Sequence, residues 1–134
     1  MASYLLDTNI CAYIQRQHPA VVLARFAKVD QGDAAISAIT YGELIYGAEK
    51  SERRGQYLQT IAEFVGLVPV LAVPPSAGAI YGEFRALLER KGEMIGNNDF
   101  WIAAHAKAAG LILVTNNTRE FKRIPGLKIE NWAA

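Results

Sequence analysis

Short apolar runs alternate along this chain with longer segments whose apolar residues recur every three or four positions. The short runs are YLL at 4–6, AAIS at 34–37, LVPVLAV at 67–73, LILVT at 111–115 and LKIEN at 127–131, and each predicts a strand. Those at 4–6 and 111–115 are apolar throughout instead of alternating, the pattern of central strands covered on both faces. Helical segments lie between them. Pro19 can open a helix through AVVLARFAKV, and Thr40 precedes YGELIYGAEKS, where Leu44, Ile45 and Ala48 keep helical spacing. GQYLQTIAEFV follows, then SAGAIYGEFRALLERKG, which ends in basic residues and Gly92. NNDFWIAAHAKAAG starts on cap-type residues and ends at Gly110. Such alternation predicts crossover units: an α/β domain with a parallel sheet, helices on both faces, and ligand-binding loops at the carboxyl ends of the strands.

With 134 residues, 51% of them hydrophobic, one domain over 1–134 can bury a full core. Lys plus Arg number 14 against 13 Asp plus Glu, so the overall field holds neither nucleic acid nor an anionic membrane, and a polyanion needs local cations. The single cysteine, Cys11, has no internal partner and sits among apolar residues, which points to packing and a reducing compartment. Neither a secretory leader pattern nor an uncharged run of the ~18 residues a membrane helix needs is visible, so the expected location is the cytoplasm.

Four places carry candidate chemistry. Asp7 ends the first strand and is followed by Thr8 and Asn9. It can serve as a turn or cap residue, or as a ligand held in one orientation by its small polar neighbours. Glu43 completes a capping-box pattern with Thr40, or faces a cleft from a helix start. Asp99 lies in the first turn of a largely apolar helix, where it complements the dipole. The residues stacked above it are Ile102 and Ala103, so no cation of its own helix pairs with it and it is available to a metal. The polar turn VTNNTREF, 114–121, follows the second central strand and holds Asn116, Asn117, Thr118 and Glu120. If that strand neighbours the first, its oxygens lie beside Asp7. His105 is expected to be packed or on the surface, away from Asp99.

The strings LLDTNI, ISAITYGELIYGAEKS, GNNDFWIAAHAKAAGLILVTNNTREF and IENW together resemble the PIN-domain ribonucleases, and within them the VapC toxins of VapBC type II toxin–antitoxin systems. This resemblance spans almost the whole chain. It implies a PIN-like three-layer α/β/α domain with sheet order 3-2-1-4-5, whose switch point between strands 1 and 4 is where such sheets bind ligands. Family function carries over to Asp7, Glu43 and Asp99 as the catalytic and metal-binding acids, with Asn9, Thr115, Asn117 and Glu120 orienting ligands or water. Many relatives have an aspartate where this chain has Asn117; an amide oxygen can ligate or position water but adds no charge.

Hard oxygen donors without a Cys or His cluster favour Mg²⁺, with Mn²⁺ as a substitute. The implied activity is metal-dependent endoribonuclease cleavage of RNA, tRNA above all, leaving a 5′-phosphate and a 3′-hydroxyl. A metal-free route through a histidine pair has only His18 and His105 to draw on. A catalytically inert binding module, which Asn117 favours and the three acids oppose, is a further alternative. Candidate RNA contacts are Arg85 and Arg119, with Lys50, Arg53, Arg54, Lys122 and Arg123 as further local cations. Tyr13 and Trp101 can stack on splayed bases or belong to the core. The resemblance also implies a VapB antitoxin lying over helices near the cleft, a toxin homodimer, and contact with DNA only through the antitoxin.

Overall fold

The computed structural model describes residues 2–134. The chain runs β1 (Tyr4–Leu6), α1 (Thr8–Arg16), α2 (Ala20–Ala27), β2 (Ala34–Ser37), α3 (Ala38–Glu49) and α4 (Arg54–Leu67). It continues through β3 (Val70–Leu71), α5 (Ser76–Lys91), α6 (Asn97–Ala109), β4 (Ile112–Val114), α7 (Thr118–Phe121) and β5 (Ile129–Glu130). The strands form one sheet in the order β3-β2-β1-β4-β5, with every pairing parallel. Leu5 lies opposite Ala35 on one side and Leu113 on the other.

Strand geometry explains why the central runs are apolar without alternation. Successive side chains point to opposite faces, and both faces of β1 are covered. Leu5 and Leu113 join a core with Phe84 and Leu88 of α5, Phe100 and Ile102 of α6, and Phe121 of α7. Leu6 and Val114 join a second core with Ile10, Cys11 and Ile14 of α1, Val22 of α2 and Phe64 of α4. The sheet is thus the middle of three layers. Leu5, fully buried, illustrates the energetic scale: truncation of such a leucine to alanine costs ~2–5 kcal/mol. The fully buried Cys11 belongs to this packing, and burial followed by the charge of Asp7 pushes its thiol pKa well up, so it carries no thiolate.

Helix ends follow the local chemistry. Gly92 and Gly110 close α5 and α6 in the left-handed region, at φ 67° and 68°. The elements differ from expectation in several places: α1 is not among the predicted helices, β4 and β5 are shorter than their apolar runs, and two boundaries have a clear local cause. The run 67–73 contributes only Val70–Leu71, because α4 extends through Leu67 and ends where Val68, preceding Pro69, is driven to extended backbone. The third helix starts at Ala38 and not after Thr40: Ser37 caps it, its Oγ accepting from the Ile39 amide at 3.1 Å. Thr40 is therefore buried inside the helix, its Oγ1 without a partner, and the capping box with Glu43 does not form.

The closing IENW segment acts as a clasp. Trp132 is buried edge-on to Tyr4 with ring centres 5.5 Å apart, and its indole N–H donates to Glu130. Glu130 also pairs with Arg25 at 3.0 Å. No helix among the described residues is long and apolar enough to cross a membrane.

Candidate metal centre

The strand order places the carboxyl ends of β1 and β4 side by side, and Asp7 immediately follows one of them. Asp7 takes the cap role its sequence position allowed, and its carboxylate is also held from far along the chain. One carboxylate oxygen, Oδ1, caps α1 by accepting from the Ile10 amide at 2.9 Å. The other, Oδ2, accepts from Thr115 Oγ1 at 2.5 Å, across 108 residues of chain. Thr115 is in turn fixed by the Asn117 amide, which donates to its Oγ1 at 2.9 Å. Asp7 is thereby held on two sides in a buried setting.

Glu43 is turned away from its own helix start and toward α1. Thr8 Oγ1 donates to its Oε1 at 2.5 Å, and Asn98 Nδ2, from the start of α6, reaches its Oε2 at 3.4 Å. Asp99, on the same turn of α6, faces the other two acids. The two ion pairs among the described residues are Arg25–Glu130 and Arg54–Glu49, so no basic side chain neutralises Asp99. Asp7, Thr8, Asn9, Glu43, Asp99, Asn117 and Phe121 line one cavity of about 240 Å³.

The electrostatics express the crowding. Burial, then the charges of Glu43, Asp7 and Glu120, raise the Asp99 carboxyl from 3.8 to about 6. Burial also raises Asp7, against the lowering effect of the Thr115 and Ile10 hydrogen bonds, with Glu43 adding to the rise. A divalent cation held there would relieve this repulsion. Among the described residues no three Asp, Glu, His or Cys side chains converge as a ready coordination shell, and Glu43 accepts from Thr8 and Asn98. Mg²⁺ does not require such a cage: it is ordinarily held by one or two carboxylates and keeps several waters. Two constrained or unpaired aspartates among oxygen donors fit that ion and do not fit zinc.

The other candidate residues are more dispersed. Glu120 does not line the cavity, and acts on it through its charge on Asp99. Arg119 is exposed on α7, and Arg85 is exposed on α5, where its guanidinium donates to Tyr81 Oη at 2.5 Å and to Asn97 Oδ1 at 2.9 Å. Trp101 is half-buried and stacked on Tyr81 with ring centres 4.0 Å apart, while Tyr13 packs at the edge of the second core. His105 is buried, with Nδ1 2.9 Å from Ser37 Oγ, and His18 lies in the α1–α2 loop. The two histidines do not share a site with each other. Sequence reading did not assign roles to Asn98 and Phe121; only the Asn98–Glu43 contact, spanning 55 residues, reveals the former.

A PIN domain model matches residues 4–127. The chain belongs to the PIN-domain family, among its VapC toxin ribonucleases. It is 46% identical over 133 residues, 99% of this chain and 100% of the relative, to the tRNA(fMet)-specific endonuclease VapC of Shigella flexneri. It is 44% identical over 132 residues to Ribonuclease VapC2 of Haemophilus influenzae, covering 98% and 99% of the two chains. Among solved structures, the DNA-bound VapBC of Salmonella typhimurium superposes with a TM-score of 0.92 at 42% identity, covering 98% of this chain and 99% of that one. The five-stranded parallel order and the helices on both faces are the PIN arrangement that the sequence resemblance implied.

Proposed function

We propose that this VapC ribonuclease is a Mg²⁺-dependent endonuclease acting on tRNA, with Asp7 and Asp99 as principal metal ligands and Glu43 contributing directly or through water. The observation that carries this reading is the cavity at the β1/β4 switch point, where Asp99 is unpaired and destabilised by Glu43 and Asp7. Its support from relatives is the tRNA(fMet)-specific activity in the name of the Shigella protein.

Each residue has a distinct task. Thr115 and the Ile10 amide fix both oxygens of Asp7, so its carboxylate enters the site without rotational freedom. Thr8 and Asn98 hold Glu43 where it can accept a proton from, or orient, an attacking water. Asn9 and Asn117 present amide groups on the same wall for water or phosphate oxygens. A bound divalent ion supplies Lewis acidity to the phosphodiester and eases deprotonation of the water. The water oxygen bonds to phosphorus as the P–O3′ bond breaks, leaving a 5′-phosphate and a 3′-hydroxyl. Because Asn117 adds no charge to the wall, the aspartates would hold one divalent ion more strongly than a second. Arg85, oriented by Tyr81 and Asn97, and Arg119 steady the RNA backbone.

The partner is a VapB-type antitoxin that carries the DNA contact and covers the toxin's cleft. A groove of about 420 Å³ among α1, α3 and α4, lined in part by Leu44, Ala48, Tyr57 and Ile61, offers apolar surface to its tail. The working form is a cytoplasmic homodimer. Incubation of the purified chain with initiator tRNA and Mg²⁺ tests the activity. Cleavage lost in EDTA and in Asp99→Asn, with 5′-phosphate ends, is expected; persistence in EDTA or a 2′,3′-cyclic phosphate overturns the metal route in favour of a histidine one.

A further inference from the structure

Beside the acidic cavity, and sharing Thr8 and Glu43 with it, runs an open trough of about 610 Å³. Its wall is α3. Gly42 and Tyr46 stand one turn apart there, Lys50 follows one turn on, and Asn98 closes the far side. We propose that this trough seats the single-stranded segment of RNA that leads into the acidic cavity, with Tyr46 stacking on a base and Lys50 meeting a phosphate. The inference rests on the ribonuclease reading above and adds the residues that position its substrate.

Four observations converge on RNA. Continuity is the first: a strand lying in the trough passes Thr8 and Glu43 and so delivers its backbone to the acids. Second, Tyr46 is 65% exposed, the highest value among the exposed large hydrophobic residues, although aromatic rings are ordinarily withdrawn from water. Third, the Lys50 ammonium lies 4.6 Å from the centre of the Tyr46 ring. Its neighbour Arg54 is engaged with Glu49, leaving Lys50 as the cation that faces the trough. An aromatic face joined to a cation is the combination that binds single strands without reading their sequence. Finally, the trough is open because Gly42 and Gly47 carry no side chains. A Cβ at either meets no atom within 4 Å, so packing does not demand glycine, and each weakens a helix interior relative to alanine. An acidic or purely apolar partner peptide accounts for the exposed tyrosine but not for a strand path ending at the acids.

The test measures anisotropy of a fluorescein-labelled oligouridylate in EDTA, so that binding is read without cleavage. Tyr46→Ala is expected to weaken binding about five- to hundredfold, as loss of one base–aromatic stack does, and Tyr46→Phe to restore it. Lys50→Ala should lower the slope of log affinity against log salt by about 0.7, the value for one phosphate contact on a single strand. Gly42→Leu fills the trough without altering charge and should also weaken binding; a Cβ there meets no atom within 4 Å, and a thermal melt matching the parent's establishes that the variant is folded. Unchanged affinity in both Tyr46→Ala and Gly42→Leu overturns the proposal. So does dissociation of an oligomer by these variants, read by sedimentation, with monomers that bind RNA as the parent does, since the face is then an interface between copies. Mg²⁺-dependent tRNA cleavage by the parent separates the two readings: cleavage with unaffected variants removes the trough alone, whereas variant-sensitive binding without cleavage removes the nuclease assignment and leaves an RNA-binding surface.

Discussion

Replacing Asp99 with Asn should make the metal-free protein more stable while destroying its activity. The carboxyl stands raised from 3.8 to about 6 by burial and by Glu43, Asp7 and Glu120, so ionising it in the folded state is costly. That displacement corresponds to about 3 kcal/mol, and solvent screening at a half-buried position reduces it to about 1–2 kcal/mol. Asn forfeits the interaction of the acid with the α6 dipole, worth ~0.3–1 kcal/mol, leaving a net gain near 1 kcal/mol. For a domain of this length that is a rise in Tm of about 3–5 °C. The sign follows from linkage. The folded protein binds the proton more tightly than the unfolded chain, so the penalty is absent below 3.8, grows as pH rises toward 6, and is complete above it. Thermal melts in EDTA at pH 4, 5, 6 and 7.5 should therefore show the variant and parent together at the acid end and separated at the neutral end. His105, whose pKa burial lowers, titrates in both proteins and drops out of the difference. Mg²⁺ at tenfold its dissociation constant should add about 1.4 kcal/mol to the parent and little to the variant, reversing their order. A variant no more stable than the parent at pH 7.5, or one with the same gap at pH 4, refutes the crowding on which the metal site rests.

Asp7→Asn should abolish cleavage yet leave the melting temperature within a few degrees, because Asn still caps α1; Asp7→Ala should lose ~0.5–2 kcal/mol in urea denaturation as well. Thr115→Val leaves a buried carboxylate oxygen without its donor, a loss of ~1–3 kcal/mol with a fall in kcat, and Thr115→Ser should recover both in melts and RNA-cleavage kinetics. Asn117→Asp adds a carboxylate to the cavity wall, so calorimetric titration should show tighter Mn²⁺ binding, paired with lower stability in EDTA; unchanged metal affinity would remove Asn117 from the site.

The bounds of β1 and β2, and the ends of α5 and α6, were legible because they rest on local causes. An apolar run buried on both faces carries its own signature, and a glycine at positive φ ends a helix wherever it falls. Asp7, Glu43 and Asp99 were legible as unpaired acids in a family-like order, and the same order carried the PIN resemblance. Misplaced elements failed for reasons lying just beyond the local window: α4 ran on through Leu67 into the run expected as the third strand until Pro69 stopped it, and Ser37 captured the cap that Thr40 was expected to provide.

Sequence by itself thus determined the layer architecture, the strand order through its family resemblance, and which acids stand without a cation in their own helix. Tertiary structure alone decided what those acids touch. Thr115 fixes Asp7 from 108 residues away, and Thr8 and Asn98 hold Glu43 across 35 and 55 residues. It also decided that Tyr46 lies open beside Lys50 along a trough reaching the acids. Hydrophobic period and capping act within a turn or two of the chain, whereas a carboxylate's partners and its proton affinity depend on distances between elements that only the folded sheet brings together.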